Sequence, residues 1–534
     1  MSRWGVLRGL DSIRIIWLID VCEIAILEDM IMSRLTNRTV CPVMSMFLSA
    51  ILCTAAAGKI IYVDDDVVAI THTGSSWALA YDHLQDALTN VNSSEEPVEI
   101  RVAQGIYAPD LGIGITPGDR DASFQLTNSV VLKGGYAGFG EPNSDARDIE
   151  LYETILSGDL AGDDLEVSDP CDLLEEPTRA ENSYTVVTVT DNNCFIDGFT
   201  ISSGNADEPI ELPDDPFKPV VIERIERSAG GGMYINPSFV TITNCTFKNN
   251  AARREGGGIY SESGRGPSLN NCIFMRNSSG CVIKGESTNF IFGGGGGMYN
   301  LKNSPTLINC RFTENSSVNG AGILNNESSP TLTNCIFSGN RSFILGRSRS
   351  LGTGGGVSFR DECRVNLTNC TFAQNSAGSG NTLTCNSFNR MYPSVLKLIN
   401  CILWDGCDEI ENHDNSIIEI TCSDLQGGWS GEGKYNIDTD PLFANPGCWV
   451  DANDPNVIVE PDDPNAVWID GDYHLKSQAG RYDTENKSWV IDDVTSLCID
   501  AGDPNIPVGD EPEPNGGRIN MGAYGGSSEA SMTP

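Results

Sequence analysis

Gly230-Gly231-Gly232-Met233, followed by Asn244-Cys245-Thr246-Phe247, is the first of five copies of one pattern. Each copy has a glycine cluster before an apolar residue, and the phenylalanine of an Asn-Cys-x-Phe element follows that residue by 14 or 15 positions. The later glycine clusters begin at Gly256, Gly295, Gly320 and Gly354. A repeat of roughly 30 residues predicts a solenoid, in which each repeat packs only on its neighbours.

The side-chain pattern around each Asn-Cys predicts strands that meet at a bend. Thr241-Ile242-Thr243 alternates as a strand does, but the inward parity flips at Asn244. A flip needs a residue outside the pleat, and Asn tolerates the left-handed conformation. The corner Asn residues of stacked coils are therefore expected to form an amide ladder, with Cys and Phe beside them in the core. This structural ladder comprises Asn244, Cys245, Phe247, Asn271, Cys272, Phe274, Asn309, Cys310, Phe312, Asn334, Cys335, Phe337, Asn369, Cys370 and Phe372.

The paired Gly-Gly-x-[Ile/Leu/Val/Met] and Phe-x-x-Asn elements resemble the repeats of chlamydial polymorphic outer-membrane proteins. The whole pattern resembles right-handed parallel β-helix proteins of the pectate-lyase-like class. This resemblance implies an all-β, right-handed parallel β-helix solenoid. The class contains adhesins, lyases and hydrolases, so the fold does not decide the function.

The segment before the solenoid has the features of a secretory signal. Residues 30–57 contain a basic region, an apolar run over Pro42–Cys53 and small residues at Ala55–Ala57. A membrane anchor is the alternative, although the apolar run is short for a bilayer. Residues 1–29 fit no signal peptide because acidic residues interrupt their apolar ones, so we expect the true start at Met30 or Met32.

The mature chain divides into four parts in this interpretation. Residues 58–205 form an N-terminal cap and irregular β-helix coils, and residues 206–229 form an acidic, proline-containing loop. Residues 230–435 form the regular repeats, and residues 436–534 form an irregular Asp- and Pro-rich extension.

Both ends of the mature chain carry recognisable elements. A helix with Trp77, Tyr81, Leu84 and Leu88 on one face, capped by Ser75 or Ser76, is expected to cover the first coil. This order of strand, Ser-Trp helix and strand resembles the N-terminal cap of secreted β-helix proteins. The last elements, Cys498–Asp503 and Gly517–Tyr524, resemble the C-terminal region that precedes one of several cell-envelope anchors in exported β-helix proteins.

The charge of the chain restricts its partners. The 34 basic and 73 acidic residues give a net charge of −39, which excludes nucleic acid and disfavours unaided binding of anionic polymers. The charge suits a secreted or cell-surface bacterial protein whose ligands are neutral, cationic or bridged by Ca²⁺. No transmembrane span is expected in the mature chain.

The repeat cysteines occur singly, without Cys-x-x-Cys or a nearby His, so they are expected to be small buried core residues. Disulfide pairs at the periphery, such as Cys401 with Cys407 or Cys448 with Cys498, are an alternative in an oxidising compartment.

Candidate functional residues lie in charged segments between the repeats. Polysaccharide cleavage on this fold would use carboxylates with Ca²⁺ and a basic side chain, or a carboxylate pair. The catalytic candidates are Arg360, Asp361, Glu362 and Arg364, with Arg253, Arg254 and Glu255, and Asp405, Asp408, Glu409, Glu411 and Asp414, as further groups. Each group is also explained as a solvated loop.

Oxygen ligands for Ca²⁺ are the second kind of candidate. The candidates are Asp405, Asp408, Glu409, Asp454, Asp463 and Asp503, of which the last three belong to Asp-Pro-Asn triplets that turn chemistry also explains.

The favoured hypothesis is an exported binding or adhesion protein for a polysaccharide or cell-surface ligand. The expected binding loops are Asn205–Ser228, Ser278–Phe292 and Arg341–Thr353, because insertions in a solenoid collect on one face. The alternatives are a polysaccharide lyase or glycoside hydrolase, and a structural spacer. The enzyme hypothesis predicts at least three charged side chains converging on one sheet face, whereas a face of Thr, Ser and Asn argues against it.

Overall fold

The computed structural model describes residues 58–68, 70–91, 98–127, 130–209, 225–236, 239–280, 293–342, 352–387, 391–406, 408–463 and 465–534. The expected start and signal segments lie outside the described residues. Within these ranges, no helix has the length and apolar character needed to cross a membrane.

Four parallel sheets run along the chain and form a β-helix. Sheet A has 12 strands. They are Lys59–Val63, Val98–Ala103, Val131–Tyr136, Cys194–Asp197, Val240–Thr243, Ser268–Asn270, Thr306–Ile308, Thr331–Thr333, Arg364–Thr368, Val395–Ile399, Ile417–Thr421 and Glu432–Lys434. Sheet B has 10 strands. They are Gly105–Tyr107, Thr154–Ser157, Thr200–Ser202, Thr246–Lys248, Ile273–Met275, Arg311–Thr313, Ile336–Ser338, Thr371–Ala373, Ile402–Trp404 and Asp424–Leu425.

The other two sheets complete each coil. Sheet C has nine strands. They are Phe124–Leu126, Val187–Val189, Met233–Ile235, Ile259–Glu262, Met298–Leu301, Ile323–Asn326, Val357–Arg360, Leu383–Cys385 and Ile410–Asn412. Sheet D has six two-residue strands, Asn205–Ala206, Ala251–Ala252, Ser278–Ser279, Ser316–Ser317, Arg341–Ser342 and Ser376–Ala377. The chain visits the sheets in the order A, B, D, C, so one coil corresponds to one sequence repeat.

The corner asparagines lie where the parity argument placed them, between sheets A and B. Their φ angles are +50° at Asn244, +55° at Asn271, +52° at Asn309, +53° at Asn334 and +52° at Asn369. These are left-handed values, which remove the residue from the pleat and reverse which side chains face inward. The repeat cysteines and phenylalanines point into the core, and the rings of Phe247, Phe274, Phe312, Phe337 and Phe372 stack with centroids 4.5 to 4.9 Å apart.

The prediction of a continuous amide ladder through these corner asparagines is wrong for most of them. Asn271 donates to Asn244 at 2.7 Å, but Asn334 and Asn369 instead donate to backbone carbonyls of residues 520–525. The continuous ladder belongs to the second asparagine of each repeat, at Asn250, Asn277, Asn315, Asn340 and Asn375. These side chains are 0 to 2% exposed, so water cannot compete for their amides as it does at the outer corner.

The α-helix Leu84–Val91 covers the first coil through Leu84, Ala87, Leu88 and Val91. The predicted helix face that included Trp77 and Tyr81 is wrong. Trp77–Leu79 is a separate 3₁₀ turn, and Ser76 at its start makes no side-chain cap. Trp77 instead packs beside Tyr62 and Tyr136 on the outside of sheet A, which draws it away from the coil end. The remaining 3₁₀ turns are Pro170–Leu174, Pro177–Arg179 and Ile225–Arg227.

The C-terminal extension forms small antiparallel sheets and packs on the outside of the solenoid. Its strands are Phe443–Asn445 with Asp472–Leu475; Cys448–Asp451 with Asp454–Ile458 and Ala466–Ile469; and Arg481–Asp483 with Ser488–Val490. Phe443, Tyr473, Leu475 and Met521 bury apolar area against the sheet B residues Ile336, Ala373 and Ile402. The outer face of sheet B is therefore covered over these coils.

Candidate functional site

In the middle of the solenoid, the outer face of sheet A carries polar side chains aligned in two rows. One row aligns Thr241, Ser268, Thr306, Thr331 and Asn366 in register on neighbouring strands. Neighbouring strands lie about 4.8 Å apart, so hydroxyl and amide groups repeat at that interval along the axis.

A second row runs parallel to the first, two residues further along each strand. It contains Thr243, Asn270, Ile308, Thr333 and Thr368. All six threonines of the two rows are partly exposed. The central face therefore offers uncharged hydrogen-bonding groups in two lines.

Aromatic and cationic side chains lie on the same sheet at its N-terminal end. This group, the Trp77 patch, comprises Tyr62, Trp77, Arg101, Lys133 and Tyr136. The Trp77 ring lies 4.8 Å from that of Tyr62 and 5.6 Å from that of Tyr136. The Arg101 guanidinium lies 5.4 Å from the Tyr136 ring centroid, within cation–π range.

Glu99 holds the two cations of the patch in place. It accepts a hydrogen bond from Arg101 Nε at 2.7 Å and another from Lys133 Nζ at 2.7 Å. Burial raises the pKa of Glu99, but the hydrogen bonds and charges of Lys133 and Arg101 outweigh it and hold the pKa below its usual value. The carboxylate is thus ionised at neutral pH. Arg101 Nη1 also lies 3.2 Å from Asp145 Oδ1, so two carboxylates balance the two cations of the patch.

Sequence reasoning did not select the Trp77 patch. The alternation in Val98-Glu99-Ile100-Arg101-Val102 places Glu99 and Arg101 on one face of a strand, which is a usable signal. The pairing of that strand with Lys133 and Tyr136 depends on the coil register, which the irregular N-terminal coils do not repeat.

The catalytic candidates of the fifth repeat are spread over two sheets. Arg360 ends a strand of sheet C, Asp361 and Glu362 form the bend with φ of +52° and +54°, and Arg364 begins a strand of sheet A. Glu362 and Arg364 line a cavity of about 290 Å³ together with Cys363, Pro393 and Val395. This cavity holds one carboxylate and one guanidinium, and it does not bring all four candidates together.

The candidate Glu255 lies near two candidate arginines. Arg254 Nη2 is 3.2 Å from Glu255 Oε1, and Arg360 acts on the same carboxyl. Burial raises the pKa of Glu255, while Arg254 and Arg360 lower it, and burial prevails. On sheet C, the buried rings of Tyr260 and Tyr299 stack with their centroids 5.3 Å apart.

Asp405 and Glu409 meet at the end of the buried asparagine ladder. Asn375 donates to Asp405 from its backbone and its side chain, and the Thr382 hydroxyl contacts both carboxyl groups. Burial raises the pKa of Asp405 to about 7, and burial with the charge of Asp405 raises that of Glu409 to about 9. The single hydroxyl hydrogen of Thr382 cannot be donated to both carboxyl groups. Glu409 is therefore protonated, and its O–H donates a hydrogen bond to the Thr382 oxygen.

The other acidic candidates do not join this pair. Asp408 is exposed, and Asp414 bonds Ser387 and Ser416. Glu411 lies 3.4 Å from His413. In the Asp-Pro-Asn triplets, Asp454, Asp463 and Asp503 each accept hydrogen bonds from the asparagine two residues later, which makes them turn residues.

Acidic groups that converge closely enough for a cation lie elsewhere. Among the described residues they are Asp64, Asp65 and Asp66, and Asp159, Asp164 and Glu181. None of the six candidates for Ca²⁺ belongs to either group. Neither group was selected from the sequence.

Most of the expected binding loops lie outside the described residues. Their described ends are mainly buried: Ser278 and Ser279 are inaccessible, and Arg341 is 6% exposed. Arg341 lies 4.7 Å above the Trp449 ring and 2.8 Å from Asp169, so it ties three parts of the chain together.

The alternative disulfide pairs are wrong, because Cys401, Cys448 and Cys498 are free thiols. Cys401 is stacked in the coil interior, and Cys498 points at Asp424 rather than at Cys448. Cys171, which the sequence interpretation did not select, is disulfide-bonded.

Comparison with known proteins agrees with this architecture. A family model described as "Right handed beta helix region" matches residues 121–295, and one described as "Disaggregatase related" matches residues 430–502. No curated protein sequence matches the chain. The parallel sheets and the β-helix match confirm the predicted all-β, right-handed β-helix solenoid with an N-terminal capping helix and an irregular C-terminal extension.

Solved structures with a similar course of the chain include two lyases and a methylesterase. Pectate lyase Pel9A is 11% identical, with 88% of this chain and 96% of that chain covered at a TM-score of 0.37. A rhamnogalacturonan lyase is 11% identical, with 78% and 96% covered at 0.36. Pectin methylesterase PemA from Erwinia chrysanthemi is 12% identical, with 71% and 93% covered at 0.32.

Proposed function

We propose that the protein is exported and binds an extended polysaccharide along the outer face of sheet A. The observation that carries this proposal is the alignment of the Trp77 patch with the two polar rows on one continuous sheet. The rings of Trp77 and Tyr136 are buried, so the partly exposed Tyr62 is the ring of the patch that can pack on the apolar face of a sugar. Hydroxyl and amide groups of the two rows exchange hydrogen bonds with sugar hydroxyls. A polymer laid along the solenoid axis would meet the same groups at every coil.

The uncharged character of the central face favours binding over cleavage. Its two rows consist of Thr, Ser, Asn and one Ile, none of which is a general acid or base at neutral pH. Export is supported by the signal-like composition of residues 30–57. The insertion loops would provide further contacts to the same ligand, in addition to those of sheet A, if the protein acts at the surface of a bacterium.

The test is binding of the purified protein to a panel of neutral and acidic plant and algal polysaccharides, with and without Ca²⁺. The double variant Thr306→Val/Thr331→Val removes two hydroxyls from the face while keeping the side-chain shape. Two lost hydrogen bonds at about 1 kcal/mol each predict an affinity at least about tenfold weaker. Thr246→Val, on the outer face of sheet B, is the control and should bind like the wild type.

Polysaccharide cleavage is the second candidate function. The specific observation in its favour is the convergence of Glu99, Arg101 and Lys133 on one sheet face, with hydrogen bonds of 2.7 Å joining them. New reducing ends or unsaturated products in the same panel would support it, and binding without products would reject it. A protein that binds nothing in the panel would support the structural spacer.

A further inference from the structure

We propose that Asp159, Asp164, Glu181 and Asn182 form a calcium site that fastens the segment 158–182 to the solenoid. The segment leaves sheet B after Ser157 and crosses the outside of sheet D before the chain returns to sheet C. This site is independent of the polysaccharide-binding face.

Three carboxylates of the segment approach one another closely. One oxygen from each of Asp159, Asp164 and Glu181 lies within 4.8 Å of the others. Backbone amides hold the ligand geometry: Gly162 N donates to Asp159 Oδ1 at 2.6 Å, and Asp164 N donates to Asp159 Oδ2 at 3.1 Å. The Asp159–Asp164 turn therefore presents its acidic side chains on the same side as Glu181.

Two buried oxygens beside this cluster have no hydrogen-bond donor within the described ranges. Asn182 is 0% exposed, and its Nδ2 donates to Asp164 Oδ2 at 3.0 Å and to Ser203 O at 2.7 Å. Its Oδ1 belongs to the amide whose nitrogen contacts Asp164, and it receives no donor. Asp164 Oδ1 is likewise buried without a donor. A buried acceptor without a donor costs about 1–3 kcal/mol, and a cation would satisfy both oxygens together.

The local charge also favours a cation. Arg179 Nη1 lies 2.8 Å from Asp164 Oδ2, and no other guanidinium of the described residues pairs with the three acids. Arg179 Nη2 donates to Gly204 O and Asn249 O, so a single cation faces three carboxylates.

The ligand set selects the ion. Carboxylate and amide oxygens suit hard cations, and a mixed set on a surface segment accommodates the irregular coordination of Ca²⁺ better than the strict octahedron of Mg²⁺. Thiols and imidazoles are absent from this group of four residues, so zinc and copper are disfavoured.

The position of the site suggests what the ion does. Beyond it, Leu173 and Leu174 pack on Ala251, and Arg276 Nη2 donates to Val167 O at 2.5 Å. The segment thus bridges several coils, and its two ends meet at the proposed site. A bound ion would hold the ends together and protect the segment from local opening.

The experiment uses the full chain, freed of metal with a chelator and titrated with CaCl₂ in a calorimeter. We expect one Ca²⁺ per chain with a Kd below about 1 mM, a higher Tm with Ca²⁺, and slower proteolysis within residues 158–182. Glu181→Gln and Asp159→Asn should weaken binding at least tenfold and abolish the rise in Tm. Asp163→Asn, which changes an exposed acid of the same turn outside the cluster, should bind like the wild type.

Circular dichroism of the chelated proteins shows whether each variant is folded. Glu181→Gln preserves the size of the side chain and is the milder substitution, whereas Asp159→Asn also disturbs the turn. Absence of saturable binding to the folded wild type up to 10 mM Ca²⁺ would overturn the proposal, since water would then satisfy the two oxygens. Equal binding by wild type, Glu181→Gln and Asp159→Asn would overturn it as well, because the ion would lie elsewhere.

Discussion

Each coil carries two asparagine residues in different environments. The outer one, such as Asn244, adopts a left-handed φ and turns the chain from sheet A to sheet B. The inner one, such as Asn277, donates from Nδ2 to the Oδ1 of the next coil at 3.0 Å and is completely buried. Side-chain amides are required at the inner position because each must donate and accept along the same axis.

The stacked phenylalanines are the largest contribution of single residues to the core. We expect Phe274→Ala to destabilise the protein by about 3–5 kcal/mol, because its ring is buried between two others at 4.8 and 4.5 Å. The urea midpoint, followed by circular dichroism, measures this loss. Ile273→Ala, whose side chain is 39% exposed on the same strand, is the control. Equal midpoints for the two variants would contradict the central place of the stack.

The Asp405–Glu409 pair predicts a loss of stability at alkaline pH. Both folded-state pKa values are raised, to about 7 and about 9, above the ordinary values of 3.8 and 4.5. The folded state then binds more protons than the unfolded state, so stability falls as the pH rises from about 4 to about 9.

Glu409→Gln tests this dependence, because a glutamine can donate to Thr382 without titrating. As the pH rises from 5 to 9, the Tm of the wild type should fall more than the Tm of Glu409→Gln. Asp408→Asn, at an exposed position of the same segment, should leave the wild-type profile unchanged. Parallel profiles for wild type and Glu409→Gln would show that Glu409 is ionised in the folded state.

The C-terminal extension is the element that most alters the surface of the solenoid. Arg311, on sheet B, lies 2.7 Å from Asp470, donates to Gly471 O at 3.0 Å and stacks over Tyr473. Asn334 and Asn369 also donate to the extension, so the corner asparagines of these coils take part in docking. The extension thus covers part of the outer face of sheet B, while sheet A retains its two polar rows.

Arg311→Ala should loosen the extension without unfolding the coils. It removes a partly buried guanidinium and leaves Asp470 without its ion pair, so hydrogen exchange in Phe443–Asn445 and Asp472–Leu475 should become at least about tenfold faster. Exchange measured by mass spectrometry resolves these strands from the coils. Lys248→Ala, on an earlier coil of sheet B, is the control, and equal exchange in both variants would contradict docking through Arg311.

At the scale of the whole molecule, the net charge of −39 determines which polymers can approach. Like charges repel an acidic polysaccharide, and the repulsion is screened over about 10 Å at 0.1 M salt. The affinity for a polyuronate should therefore rise as NaCl increases from 20 to 200 mM, while the affinity for a neutral polysaccharide stays constant. Binding isotherms at both salt concentrations test this, and weaker polyuronate binding at high salt would indicate a dominant cationic contact such as the Trp77 patch.

The sequence by itself determined the coil. Glycine clusters, left-handed asparagines and inward Cys and Phe recur at fixed intervals because each coil must repeat its neighbour's backbone, and that local requirement is written in every repeat. The regular strands from Met233 to Thr421 were accordingly predictable, whereas the separate turn at Trp77 was not, since its packing partners Tyr62 and Tyr136 lie on distant strands.

Only the tertiary structure decided which surfaces meet. The register of the early coils brings Glu99 to Lys133, and the extension reaches back over about 150 residues to bind Asn369. The approach of Asp159 to Glu181 arises when the intervening segment folds on sheet D. Contacts between parts of the chain that share no repeat leave no periodic signal, and they are the contacts that form the candidate sites.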